Sequence, residues 1–436
     1  MSTQKVSSNG VLQFNAIERT LENDLRVIVV PTGLPHLVSL QIPVQTGSRN
    51  EIEKGKTGFA HFFEHMMFRG TERFPSHKYQ EVMTRVGARQ NAYTTDDYTN
   101  YHATFSAKDL ATVLELEADR FQNLNYSIED FQTESRAVLG EYNKSSANPL
   151  AKLFEIQRDH AFTQHTYKHT TMGFLPDIED MPNQFDYSRE FFNRWYRPEY
   201  TSILIAGDVE PEPTFELVKK YWSDWKRGSY TNIIPQELLG NKPITTHLIW
   251  ETPTLPWVTI GFHGPAFSET EKDFAALDIL TDLEFGETSE IYRQLVEEDQ
   301  LVDQLLTMHS PHVDPSLTTI LARVQDIKNL TLVRDSLLEK ISQLREKPPE
   351  QQRIDDAKSH TKYGFVRTLD NSESIASTLA QFVHFKRSYS TLNNYYELYP
   401  ELTQEDLLGV ARKYLTEERM VIATVSHDPL PQTFGS

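Results

Sequence analysis

The sequence predicts a layered α/β fold, built twice in one chain. Three observations point there. Runs rich in β-branched residues alternate with helix-like runs over about the first 220 residues, as expected of a sheet covered by helices. A stretch of mixed Gly, Pro, Asn and Ser character, residues 228–243, then breaks the chain, and the pattern begins again. Finally, 436 residues are too many for one ordinary hydrophobic core. The expected organisation is a first domain over residues 1–227, a linker over 228–243 and a second domain over 244–436.

Taken in order, residues 1–13 read as a loose arm. Residues 24–30 are rich in β-branched side chains and read as a strand, 31–35 as a turn and 37–44 as a second strand. Gly55 and Gly58 punctuate the chain ahead of an apolar run that reads as a helix. Residues 77–86 read as another helix. Residues 87–95 follow, and on the residues alone Asn91 to Thr94 are a turn and an ordinary strand start. Residues 98–105 read as a strand, 110–123 as an amphipathic helix with an acidic polar face, and 128–143 as a long helix. Residues 191–196 close a helix ahead of Pro198. Residues 202–206 form a strand closed by Gly207-Asp208, and 213–225 a helix.

Composition narrows the function. Hydrophobic residues at 38% and charged residues at 24% fit a soluble globular protein. A net charge of -19 argues against general nucleic-acid binding and leaves room for a mild preference for basic substrates. The absence of cysteine excludes disulfides, thiolate ligands and a cysteine nucleophile. No apolar stretch reaches the ~18 residues of a membrane-spanning helix. The start, MSTQKVSSNG, is polar and has no apolar signal core, so a cytoplasmic location is expected, or a periplasmic one if a signal peptide was trimmed.

The chemistry concentrates in GFAHFFEHMMF, residues 58–68. On a helix, His61 and His65 share a face one turn apart and can both reach one metal ion. Glu64 sits on the edge of that face, close enough to take a proton from a water at the metal. The order His-x-x-Glu-His is the inverted zincin motif. Burying three titratable groups in an apolar helix is costly unless something pairs them.

The second half repeats landmarks of the first. Leu34-Pro35 is echoed by Leu255-Pro256 (255 − 34 = 221), and Phe59-Ala60 by Phe274-Ala275 (274 − 59 = 215). Tyr196 with Ile203-Leu204-Ile205 is echoed by Tyr414 with Val421-Ile422-Ala423 (414 − 196 = 218). Nearly constant spacing argues for two copies of one fold. Laid over the motif helix, the second copy puts Ala276, Ile279 and Leu280 opposite His61, Glu64 and His65. The first half is therefore the chemical half, and the second a candidate wall of a substrate chamber.

A catalytic zinc takes three protein ligands and keeps one position open. Glu134 and Glu141 in FQTESRAVLGEYNK are candidates for the third ligand: seven apart, they share a helix face and sit among Val138, Leu139 and other apolar residues. The residues alone do not choose between them. HFFEH with Glu141 downstream (141 − 65 = 76) resembles the pitrilysin and mitochondrial-processing-peptidase family of metallopeptidases. QNAYTTDDYTNYH resembles the family's substrate-binding edge strand, and HTYKHTTMG and YRPEYTSILIAGDV resemble later landmarks. The resemblance covers most of the first half strongly and the second half weakly, and is that of the zinc-binding subunit of a bacterial-type two-subunit member. It implies an α+β fold of two homologous domains, each a mixed, mainly antiparallel sheet packed with helices, forming a clam-like chamber. It implies one Zn²⁺ per chain held by His61, His65 and Glu141, with Glu134 supporting the site by orienting a His ligand. It also implies a zinc peptidase that takes up an extended substrate along Asn91, Ala92, Tyr93 and Thr94. In the mechanism these residues suggest, the ion lowers the pKa of water toward ~7, and Glu64 takes the proton and returns it to the leaving amine.

One departure matters. Active members carry an Arg and, seven residues later, a Tyr in the second half, which bind substrate and stabilise the oxyanion. Val296 and Asp303 stand in those places here, and a shift to Arg293 would put Gln300 in the Tyr place. Losing an oxyanion donor typically costs ~10²–10³ in rate. The expectation is a heterodimer in which a homologous partner supplies the Arg/Tyr pair. The alternatives are a non-catalytic scaffold or core-type subunit of a larger complex, and a different metal hydrolase acting on small molecules. His160, His165, His169, His309 and His312 receive no role.

Overall fold

The computed structural model describes residues 11, 14–231, 233–240 and 242–435. The loose arm expected at 1–13 therefore falls outside the described residues, except for Val11. The first strands are β1 (Ile17–Thr20), β2 (Arg26–Pro31) and β3 (Leu37–Val44), followed by helices α1 (Phe59–Met66) and α2 (Ser76–Arg85). Strands β4 (Arg89–Thr94) and β5 (Thr99–Ser106) lead to α3 (Leu110–Asn123), α4 (Ile128–Ser146), α5 (Pro149–Ala161), α6 (Leu175–Asp180) and α7 (Phe185–Trp195). Then come β6 (Ser202–Gly207), α8 (Pro211–Trp222), β7 (Ile244–Ile249), β8 (Trp257–His263), α9 (Asp273–Phe285) and α10 (Glu290–Tyr292). Strands β9 (Val302–Met308) and β10 (Leu317–Val324) precede α11 (Leu330–Glu346), α12 (Gln351–Thr368), α13 (Ser372–Lys386), α14 (Ser390–Leu398), α15 (Gln404–Tyr414) and β11 (Met420–Ser426). Among the described residues, no helix is long and apolar enough to cross a membrane.

The chain divides into two compact units. One comprises Met1–Tyr142, His169–Pro235 and Gly364–Asn394; the other comprises Asn143–Lys168, Gln236–Tyr363 and Tyr395–Ser436. The first unit holds a six-stranded sheet in the order β1-β2-β6-β3-β5-β4, in which only β2 and β6 run parallel. Val38, Leu40, Ile42 and Val44 of β3 point into a core shared with Phe59, Phe62 and Phe63 of α1. Full burial of each such side chain is worth about 1.5–3 kcal/mol. The alternate residues Ser39 and Gln41 are also buried and bond to each other, and Asn100 donates to Gln41. Gln45, on that same face, donates to the carbonyl of His384 in α13, and α13 packs against β3 and β6. So α13 is the layer that covers the polar face of this sheet.

The second unit repeats the plan. Its sheet runs β7-β11-β8-β10-β9, and only β7 and β11 run parallel. Strand starts keep one offset: 244 − 26 = 218 for β2 and β7, and 420 − 202 = 218 for β6 and β11. The three sequence echoes fall at equivalent points, just ahead of β3 and β8, at the start of α1 and α9, and at the end of α7 and α15. Helix α5 covers β11, β7 and β8, with Leu153 packed on Ala423 and Val425 and Gln157 donating to the Val421 carbonyl.

The division drawn from the sequence at 228–243 differs from these units in one respect. Helices α5 and α13 hold equal places in the repeat (372 − 149 = 223), yet each belongs to the unit whose sheet comes from the other half of the chain. An apolar stripe on a helix states that a partner surface is needed, not which of two similar sheets supplies it. Residues 225–231 and 233–240 carry neither helix nor strand.

Arg387 anchors α13 in the first unit. It stands in the left-handed region at φ 54° as the helix C-cap. Its guanidinium donates to the carbonyls of Pro198 at 3.0 Å and Thr201 at 2.8 Å, and to that of Asp24. Burial pushes its pKa down to about 10. Removing it takes a donor from the carbonyl of buried Thr201, at about 1–3 kcal/mol, whereas the Pro198 carbonyl keeps the Thr201 N–H at 3.2 Å. Arg387→Ala is therefore expected to lower unfolding free energy by roughly 1–3 kcal/mol in urea titration.

Candidate metal centre

The site is built on α1, whose N-terminus is fixed from outside the helix. Glu51 is buried and accepts the backbone N–H groups of Gly58 at 2.8 Å and Ala60 at 2.7 Å, satisfying donors that a helix start leaves open. Burial pushes the Glu51 pKa up to about 8, and those two bonds pull the other way. Asp177 accepts the Thr57 hydroxyl at 2.7 Å, and Thr57 Oγ1 accepts the Phe174 N–H at 2.8 Å. Gly173 and Gly58 stand at φ +79° and +91°, and a Cβ on Gly173 would fall 2.7 Å from the Gly58 nitrogen. Only glycine fits this contact between the 169–177 segment and the start of α1.

Two turns along, the polar groups of α1 converge with those of α4. His65 Nδ1 lies 2.9 Å from Glu134 Oε1, and Arg69 Nε donates to Glu134 Oε2 at 2.6 Å. This turns His65 Nε2 toward Glu141 Oε2, 3.3 Å away, and His61 Nε2 lies 3.7 Å from the same oxygen. Among the described residues, His61, His65 and Glu141 form a trio of donors all within 4.8 Å of one another. Tetrahedral ligands at 2.0–2.1 Å from a metal stand about 3.3 Å apart, so these spacings fit a small divalent ion such as zinc. Glu134 is buried, whereas the Glu141 side chain is 47% exposed. The expectation that both carboxylates are embedded holds only for Glu134, because the outer end of α4 faces solvent.

The protonation states differ between the two imidazoles. Burial, and then the neighbouring His65, push the His61 pKa down to about 4. The Glu134 hydrogen bond raises that of His65 in spite of burial. Burial would push Glu134 up, but its bonds to His65 and Arg69 outweigh this and leave it below the usual carboxylate range. Glu64 is raised by burial, and the hydroxyl of Thr94, donating to Oε2 at 2.7 Å, opposes that rise.

Strand β4 ends the first sheet and, among the described residues, pairs only with β5, so its outer edge is open there. Asn91 to Thr94 lie in this strand rather than in a turn, with Asn91 exposed. A cavity of about 370 Å³ opens beside it, lined by Glu64, His65, Phe68, Arg69, Gln80 and Asn91 among others. Behind the strand, the Tyr79 hydroxyl bonds Gln90 at 2.6 Å and Glu117 at 2.7 Å.

The remaining histidines stay outside the trio. His169 Nδ1 lies 3.7 Å from Glu51, and His165 pairs with Asp314 at 3.0 Å. His309 stacks on Phe274. Val296 lies in a wide helical turn, Arg293–Glu298, and Asp303 is paired with Arg323 through two bonds of 2.8 Å. In α9, Ala276, Ile279 and Leu280 are buried and apolar. Sequence reasoning missed Glu51, Arg69 and the bond from Thr94 to Glu64. Arg69 stood four residues after His65, a helical spacing that could have suggested it; the other two depend on long-range folding.

Comparison with known proteins places this geometry. Residues 27–174 match the family described as "Insulinase (Peptidase family M16)", and residues 184–360 match "Peptidase M16 inactive domain". The chain belongs to the peptidase M16 family. It is 27% identical to the zinc protease PqqE of Helicobacter pylori over 410 residues, 91% of this chain and 90% of that protein. The crystal structure of a protease from Helicobacter pylori superposes with a TM-score of 0.86 at 27% identity, covering 95% of this chain and 99% of that one. The mitochondrial-processing peptidase subunit beta of Caenorhabditis elegans is 28% identical over 232 residues, 53% of this chain and 50% of that protein. An M16 chain of this kind is a member of a family of named zinc proteases, and its second half matches the domain described as inactive, in keeping with its apolar α9.

Metal uptake should follow the two imidazoles. His61 is neutral down to about pH 4, so a divalent ion competes with the proton on His65. Affinity is expected to fall as pH falls through the raised His65 pKa, with proton release per ion growing as pH is lowered. Calorimetry in buffers of different ionisation enthalpy measures that count. Glu134→Ala, which frees His65 Nδ1, is expected to weaken affinity about 10–100-fold.

Proposed function

We propose that this chain is a zinc metalloendopeptidase subunit that hydrolyses peptides or unfolded polypeptides. The observation that carries the reading is the trio of His61, His65 and Glu141, with Glu64 on the same helix and an open strand edge beside it. His61, His65 and Glu141 would hold the ion. When bound, zinc supplies Lewis acidity, polarising a carbonyl and lowering the pKa of water to ≈ 7.

The protein groups do the rest. Glu64 takes a proton from the attacking water and later gives it to the leaving amine. Its raised pKa suits both halves of that task, because a group that titrates nearer neutral pH is a better acid without ceasing to be a base. Glu134 keeps His65 in one tautomer, with Nε2 free. An extended peptide can pair with the edge of β4 over Asn91 to Thr94 as an added strand, taking the Ala92 N–H over from the Asn91 side chain that holds it at 3.0 Å. That mode reads main chain, so it favours flexible or unfolded substrates.

Val296 and Asp303 supply no oxyanion donor, and the Asp303 charge is already paired with Arg323. A homologous partner subunit carrying an Arg/Tyr pair would complete the machinery. The mitochondrial-processing peptidase relative is itself named as a subunit.

Glu64→Gln is expected to lower peptide cleavage by about 10²–10⁴-fold while zinc content stays at one per chain. Co-purification with a homologous partner is expected to raise the rate of the wild-type chain by about 10²–10³-fold. Full activity of the isolated chain would exclude the division of labour. A zinc-loaded complex that cleaves no peptide would instead favour the scaffold reading.

A further inference from the structure

We propose that Thr94 is a positioning residue for Glu64: its hydroxyl holds one carboxylate oxygen, so that the other is the one free to handle the proton. The inference rests on the role given to Glu64 above. It also narrows the role of the edge strand, since the hydroxyl of Thr94 and, more weakly, its backbone N–H both face the base.

A glutamate side chain has three rotatable bonds, and the last is soft. Glu64 is only partly buried, so packing alone does not fix its carboxylate. The Thr94 hydroxyl does so at 2.7 Å, by donating its one proton to Oε2. Thr94 is suited to the task. It is β-branched and therefore stiff about χ1. It is the last residue of β4, paired with Thr99, and the Thr99 hydroxyl is itself tied to the Thr46 carbonyl at 2.9 Å.

The turn beyond is fixed as well. The Thr95 N–H donates to the Tyr98 carbonyl at 2.8 Å, and Thr95 Oγ1 accepts the N–H groups of Asp97 at 3.2 Å and Tyr98 at 3.1 Å. The Arg49 N–H donates to the Asp96 carbonyl at 2.8 Å. The end of β4 is thus a rigid mount. Because the same strand offers the peptide edge, its register fixes the base and the substrate in one frame.

The test compares Thr94→Val, which keeps shape and branching but removes the O–H, with Thr94→Ser, which keeps the O–H. Zinc-loaded protein is assayed with its homologous partner on a flexible peptide. Thr94→Val is expected to lower kcat about 10–100-fold with KM within about 2-fold and zinc content unchanged, and Thr94→Ser to stay within about 3-fold of wild type. Crystal structures of the zinc-loaded variants supply a readout independent of turnover. The Glu64 carboxylate is expected to turn away or split into two conformers in Thr94→Val and to keep its place in Thr94→Ser. If Thr94→Val fails to load zinc, Thr94→Ala takes its place in both measurements. A Glu64 carboxylate that stays in place without the hydroxyl overturns the proposal, as does a loss confined to KM. If wild type cleaves nothing, the peptidase reading fails, while the crystallographic comparison still decides the role of Thr94.

Discussion

A helix that carries two imidazoles and a carboxylate into an aromatic core needs partners for its polar groups, and most of the site follows from that constraint, with His61 Nδ1 the buried atom of the helix that has none among the described residues. The backbone start of α1 is met by Glu51 and its flank by Asp177. The Phe63 carbonyl accepts the Tyr101 hydroxyl at 3.0 Å. His65 Nδ1 is met by Glu134, and Glu64 by Thr94. What these partners leave over is a set of candidate ligand atoms, on His61, His65 and Glu141, all within 4.8 Å of one another. The hydrogen bonds that fix the helix also bring these three side chains together.

The second copy shows what the fold does when that constraint is absent. Helix α9 occupies the place of α1 and is buried over nearly its whole length by apolar residues, with Ala276, Ile279 and Leu280 where the chemistry stood. Strand order and the single parallel pair are kept, because they serve packing rather than catalysis. The two sheets share one design, and the helix packed at this place differs in whether it carries imidazoles and a carboxylate.

Much of the first half was legible in the sequence, and the failures have physical reasons. The strands β3, β5 and β6 and the helices α2 and α3 announced themselves through strong periodicity and punctuation, within a residue or two of their observed ends. The proximity of His61 and His65, the candidate ligand pair, was legible because their spacing is local to one helix. Strand β1 was missed because its four residues carry only a weak signal. Strand β4 looked like a turn on its residues alone, since Asn and Thr are as common in turns as at a sheet edge. Choosing Glu141 over Glu134 needed the family resemblance: the two share a helix face, and only the folded position of α1 turns one toward Nδ1 and the other toward Nε2. Glu51 and Thr94 act across loops, where sequence distance says nothing about contact.

The trading of α5 and α13 has a consequence for how such a chain can be divided. Severed near residue 235, the first half would keep its sheet but lose the helix that covers Ser39 and Gln41, and the other half would lose the cover of β11. Neither piece is a self-sufficient folding unit, although each contains a complete set of strands. Two pieces that lend each other a helix would be whole. The tandem chain is thus the covalent counterpart of a domain-swapped pair.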